Sequence, residues 1–90
     1  MDKREAKRQM AEVRRLLLAW DAIGVADEVE CQDEYDCMIG PLLDHLRDGA
    51  GAGFLHGWIA RERVEHFGLD ADPGRDRVLA DALVAWRGDE

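Results

Sequence analysis

Ninety residues allow one small domain, and a 47% hydrophobic content supplies enough apolar surface for a core, which excludes wholesale disorder. The charged fraction of 36% and the formal charge of −8 argue for a soluble chain, and no run approaches the ~20 apolar residues that cross a bilayer. The basic N-terminal residues are not followed by the apolar core of a signal peptide, so the expected address is the cytoplasm.

Charge is unevenly placed. Residues 1–20 carry six Lys/Arg against three Asp/Glu, a net of +3. Residues 21–48 carry nine acids against one arginine, a net of −8. The remainder holds five arginines against eight acids, a net of −3. A basic first segment thus precedes an acidic middle, and the overall balance is opposite to that of a nucleic-acid binder.

The first element opens on Asp2-Lys3-Arg4-Glu5, which has capping-box spacing. Ala6, Met10, Val13, Leu17 and Trp20 follow at steps of three and four, and Leu16 and Leu18 widen the stripe. This spacing predicts a helix over about 3–19. Asp21 to Gly24 should break it, with Gly24 in a left-handed conformation and Ile23 and Val25 turned back onto the core. Residues 26–32 show no period and read as an acidic loop.

Asp33 is the expected N-cap of a second helix, whose buried stripe is Tyr35, Met38, Ile39, Leu42 and Leu46. Gly40-Pro41 falls within it, so a kink or break is expected there. Asp48-Gly49 closes the element, and the glycine-rich residues 49–53 form a joint. The third helix is expected over about 52–67, with Leu55, Trp58, Ile59 and Phe67 inward, Gly68 at C′ and Leu69 completing a Schellman-type end. Asp72-Pro73 reads as N-cap and N1 of a last helix with the stripe Val78, Leu79, Ala82, Leu83 and Trp86. No strand pattern and no repeat is present. The expected fold is all-α: a single domain over residues 1–90, a compact bundle of about four helices with a long acidic loop between the first and second.

Candidate chemistry is sparse. Serine and threonine are absent, which removes the hydroxyl nucleophiles. Cys31 and Cys37 have no zinc-site spacing and read as thiols in a reducing compartment. As nucleophiles they would need a nearby histidine and an electropositive setting, and they sit in the most acidic part of the chain. His45, His56 and His66 make no HExxH, and no two lie three or four residues apart. Asp70-Ala71-Asp72-Pro73-Gly74-Arg75-Asp76 approaches a calcium loop, but Gly74 comes one position early and Asp81 stands where a bidentate glutamate belongs. Asp33, Glu34 and Asp36 could form a hydrolytic carboxylate pair, although so many acids on one stretch usually make a solvated face. The glycines of residues 49–53 lack the Lys-Ser/Thr of a phosphate loop. No catalytic residue, cofactor or metal is expected, and the chain is read as a non-enzyme.

Trp20-Asp21, Ile23-Gly24-Val25, Asp33-Glu34-Tyr35-Asp36, Ile39-Gly40 and Gly68-Leu69 together resemble a family of small bacterial helical proteins of unknown function that carry WDPIGV and DEYD motifs. The resemblance spans about residues 16–69. Ala22 stands where those proteins carry proline, which removes a rigid turn. It implies a fold and no activity. By analogy of size and charge, small acidic proteins of this kind serve as inhibitors or immunity proteins that cover a toxin's basic site.

The function expected is therefore a protein-binding domain. Its candidate docking residues are Asp27, Glu28, Glu30, Asp33, Glu34 and Asp36, which would steer a basic protein partner electrostatically. One alternative is a nucleic-acid accessory role through Arg4, Lys7, Arg8, Arg14 and Arg15, and another is a metal or enzymatic protein using His and carboxylates. Phe54 and Trp58 beside Leu55 and Ile59 give the third helix more apolar surface than one core needs, which leaves room for a homodimer.

Overall fold

A computed structural model of the chain describes residues 3–21 and 35–89, and within them the protein is all α. Helix α1 spans Lys3–Trp20 and ends with Asp21 in the left-handed region at φ 43°. Aspartate tolerates that conformation better than most side chains. The expected break is therefore made one residue after Trp20; Gly24, Ile23 and Val25 lie outside the described residues, as does the whole acidic loop. The chain is described again at Tyr35. A 3-10 turn, Asp36–Met38, leads directly into α2, Ile39–Arg47.

The expected N-cap Asp33 also lies outside the described residues. The interruption expected near Gly40-Pro41 is a change of winding just upstream, between Met38 and Ile39, and the proline occupies the first turn of α2. A proline there is tolerated because first-turn N–H groups lack α-helical acceptors anyway. Helix α2 closes on a Schellman motif. Gly49 takes φ 86°, its N–H bonds to Leu46 O at 3.1 Å, and Ala50 N–H bonds to His45 O at 3.0 Å.

Helix α3 covers Ala52–Arg61 and then widens into a π-turn, Glu62–His66, where a continuous α-helix to residue 67 was expected. Phe67 N–H reaches back five residues to Glu62 O at 3.1 Å. Gly68 is left-handed at φ 65°, as its C′ position requires, but the next bond runs from Leu69 N–H to Arg63 O at 3.0 Å, one residue wider than an ordinary Schellman closure. Helix α4, Pro73–Asp89, starts as expected: Asp72 Oδ1 accepts the N–H of Arg75 at 3.2 Å, with Pro73 at N1.

Successive helices alternate in direction. The end of α1, the start of α2, the π-turn and the start of α4 gather at one end of the bundle. Helix α4 packs chiefly on α3 and α1, and α1 on α2. Val13, Leu17 and Trp20 of α1 meet Met38, Ile39, Leu42 and Leu46, then Leu55 and Ile59, then Leu79, Ala80 and Leu83 of α4. Phe67, Trp58 and Trp86 pack against this core as partly buried side chains.

Two expected core residues are displaced outward. Met10 is half exposed, beside a groove between α1 and α2 lined by Gly40, which has no side chain to close it. Val78 is 70% exposed. The buried face of α4 is Asp76, Leu79, Ala80 and Leu83, turned by roughly one residue step (~100°) from the apolar stripe, which puts Val78 nearly opposite Asp76.

Two arginines of α4 close helices other than their own. Arg75 donates through Nη2 to the carbonyl oxygen of Trp20 and, at 3.3 Å, to that of Asp21. Arg87 donates through Nη1 to Leu46 O at 3.2 Å and Ala50 O at 2.9 Å. Helix α1 has no basic residue in its own last turn, so its C-terminal carbonyls receive their positive charge from α4.

Candidate functional site

The residues of most chemical interest share the end of the bundle where α1 finishes and α2 begins. Trp20 is the last residue of α1 and is buried. Its Nε1–H donates to Asp76 Oδ1 at 2.8 Å. Arg63 reaches the same oxygen through Nε at 2.9 Å, and its Nη2 lies 2.9 Å away with poorer alignment. Asp76 is 0% exposed and Arg63 3%, and the guanidinium carbon stands 5.2 Å from the centre of the Trp20 ring. A buried ion pair is tolerated only when its partners satisfy one another; here the ionic attraction and the indole hydrogen bond converge on one carboxylate oxygen, and the cation–π contact joins the guanidinium to the indole ring. The other oxygen, Oδ2, has no hydrogen-bond partner among the described residues.

Tyr35 and Phe67 complete a three-ring cluster with Trp20. The centroids are 5.5 Å apart for Trp20–Tyr35, 5.6 Å for Tyr35–Phe67 and 6.5 Å for Trp20–Phe67, all edge to face, the arrangement that ring quadrupoles favour. Tyr35 O–H donates to Asp21 Oδ1 at 3.0 Å. Asp21 and Tyr35 are the residues that bracket positions 22–34, so this bond and the Trp20–Tyr35 contact hold together the two ends of the acidic connection.

Of the six expected docking acids, Asp27, Glu28, Glu30, Asp33 and Glu34 lie outside the described residues. Asp36 is described, and it is engaged. Arg14 of α1 grips it bidentately, Nε to Oδ1 at 2.9 Å and Nη2 to Oδ2 at 2.5 Å. The pair is partly exposed and contributes on the order of 1 kcal/mol or less, but it fixes the first turn before α2 against α1. Asp36 is thus a tether rather than an unengaged docking group. Elsewhere on α1, Arg8 pairs with Glu5 and Arg15 with Glu12, and the hydrogen bond from each arginine holds its glutamate below the ordinary carboxylate range.

The three histidines lie apart. His45 packs edge to face on Phe54 and Trp58, at 4.9 and 5.6 Å. His56 is partly buried on α3. His66, at the end of the π-turn, stands against an exposed Cys37: Sγ lies 3.6 Å from Nε2. Cys31 is outside the described residues. Among the described residues no group of three His, Cys, Asp or Glu side chains is placed to hold a metal ion. The Asp70–Asp76 segment caps α4 and feeds the buried ion pair. No described helix is long and apolar enough to cross a membrane.

Sequence reasoning missed Arg63, Asp76 and the Cys37–His66 contact. The first two carried a signal. Arg63 continues the four-residue rhythm of Leu55 and Ile59, and Asp76 lies three and four residues before the buried Leu79 and Ala80. Oppositely charged residues that each extend an apolar face of their own helix are candidates for a buried pair. For Cys37 and His66 the hint was weaker: each sits within two residues of an aromatic, Tyr35 or Phe67, that packs at the core.

Comparison with family models, with curated proteins and with solved structures returned no match for this chain, so the arrangement must be read from its own chemistry.

Proposed function

We propose that this chain is a small protein-binding domain whose acidic connection between α1 and α2 captures a basic partner, acting by binding rather than by catalysis. The observation that carries the reading is the tie between Asp21 and Tyr35 at 3.0 Å. It holds the ends of a segment containing Asp27, Glu28, Glu30, Asp33 and Glu34, with no Lys or Arg between them, on a platform of packed rings and a buried ion pair. Acids confined to a short segment with fixed ends lose less freedom when a partner arrives, and their shared field raises the association rate. An inhibitor or immunity role against a partner with a basic active site is the specific form of this proposal, in the cytoplasm, and the motif resemblance to small bacterial helical proteins belongs to it. The nucleic-acid alternative loses ground because Arg8, Arg14 and Arg15 each already face a carboxylate.

The test is capture of partners from the source cell by the purified chain, with replacement of Asp27, Glu28, Glu30, Asp33 and Glu34 by Asn or Gln. A basic protein retained by the unaltered chain should be lost by the neutralised one, and its affinity should fall steeply with salt. Retention unchanged by neutralisation or by salt would sink the proposal. Tyr35→Phe should weaken capture while leaving the salt dependence intact.

A further inference from the structure

Cys37 and His66 are 29 residues apart in sequence, and the fold brings Sγ to 3.6 Å from Nε2. The opposite ring nitrogen, Nδ1, lies 3.4 Å from Glu62 Oε2, at the other end of the π-turn. One nitrogen is therefore placed to accept the thiol proton while the other faces a carboxylate that can hold its N–H and orient the ring, the order required of a nucleophile, a base and an orienting group. The ring separates sulfur from carboxylate, so the three form a relay and not a chelate.

The surroundings decide what such a thiol does. Cys37 and His66 are both exposed. An accessible sulfur with a base beside it suits a reaction with a small, freely diffusing electrophile that needs no binding pocket.

We propose that Cys37 is a modification site for low-molecular-weight disulfides, with His66 as its base and Glu62 as a positioning residue. His66 Nε2 takes the proton from Sγ. The thiolate attacks one sulfur of the incoming disulfide, and the new Cys37 sulfur–sulfur bond forms as the old one breaks. The departing thiolate takes the proton back from the imidazolium. One disulfide is consumed and one is made, so the exchange needs no further oxidant.

The experiment uses the whole chain with Cys31→Ser, so that Cys37 alone is read. The second-order rate with dithiobis(nitrobenzoate) is followed by the coloured leaving group, and the adduct with glutathione disulfide is followed by mass. The folded chain should react faster than the same chain unfolded in urea. His66→Ala should slow the folded chain by about tenfold, and added imidazole should restore part of the loss, which a purely structural role would not allow. Glu62→Ala should slow the reaction severalfold, and Glu62→Gln, which keeps an acceptor oxygen, should recover most of it. A rate in the folded chain no greater than in the unfolded one, or a His66→Ala rate equal to that of the parent with no imidazole effect, would overturn the proposal.

Discussion

The Trp20 indole N–H donates to Oδ1 of Asp76 at 2.8 Å, joining residues 56 positions apart and fixing the end of α1 against the start of α4. Arg63 shares that oxygen, so the three side chains form one unit. Asp76→Ala leaves a buried guanidinium without its counter-charge and should lower stability by about 3–5 kcal/mol. Trp20→Phe keeps a ring but loses the hydrogen bond, at a cost of about 1–2 kcal/mol. Replacing both charges together, Arg63→Met with Asp76→Leu, should cost much less than the sum of Arg63→Met and Asp76→Leu alone, because neither charge is then stranded. Urea unfolding of the single and double variants measures this, and additive losses would show that the unit does not exist.

The buried face of α4 runs through Asp76 and leaves part of the apolar stripe outside. Leu79 is buried and Val78 is 70% exposed, although both belong to the apolar stripe of the helix. Val78→Lys should change the unfolding midpoint little, within about 0.5 kcal/mol, whereas Leu79→Ala should cost about 2–5 kcal/mol. A helix oriented by its apolar stripe alone would give large losses at both positions.

These two residues also show how far the sequence could be read. Helix existence, the Asp72-Pro73 start, the closure of the second helix at Asp48-Gly49 and the C′ position of Gly68 were all legible, because caps and turn residues act locally and leave a local trace. The orientation of α4 was not, because a hydrophobicity pattern scores Asp76 as surface and cannot see Arg63 waiting for it on another helix. The π-turn was hidden for a related reason: nothing in Glu62–His66 forbids α-helix, and the extra residue goes with the placement of Arg63 and Phe67 against Trp20. In the candidate site the acidic connection was visible as composition. Its anchoring through Tyr35 and Asp21, the engagement of Asp36 by Arg14 and the meeting of Cys37 with His66 depend on tertiary contacts between positions with no shared local pattern.

Acid titration should single out two carboxylates on α1. The hydrogen bond from Arg8 lowers the pKa of Glu5, and that from Arg15 lowers the pKa of Glu12. A group whose folded pKa is depressed contributes stability above its unfolded pKa and loses it as pH falls through the folded value, so both should favour α1 at neutral pH and cease to do so in acid. Carboxyl chemical shifts followed by NMR should show Glu5 and Glu12 titrating below the ordinary glutamate range. Both are solvent-exposed surface pairs, so added salt should bring them back towards it. Ordinary values at low salt would mean the pairs do not form in solution.

The capping arginines of α4 offer a test of how the bundle is closed. Arg75 serves the carbonyls of Trp20 and Asp21, and Arg87 those of Leu46 and Ala50, so one helix terminates two others at opposite ends of its own length. Arg75→Gln removes the positive charge from the C-terminus of α1, which has no basic residue of its own in the last turn, and should cost about 1–2 kcal/mol. The loss should be local in its first signs. Amide exchange should quicken at Trp20 and Asp21, whose N–H groups sit in the final turn, before the core of α1 responds, since a frayed helix end opens without global unfolding. Arg87→Gln should produce the matching effect at Gly49 and Ala50 and leave Trp20 unchanged. If either substitution quickened exchange at both ends alike, the arginines would be acting through global stability, and the assignment of one cap to each would fail.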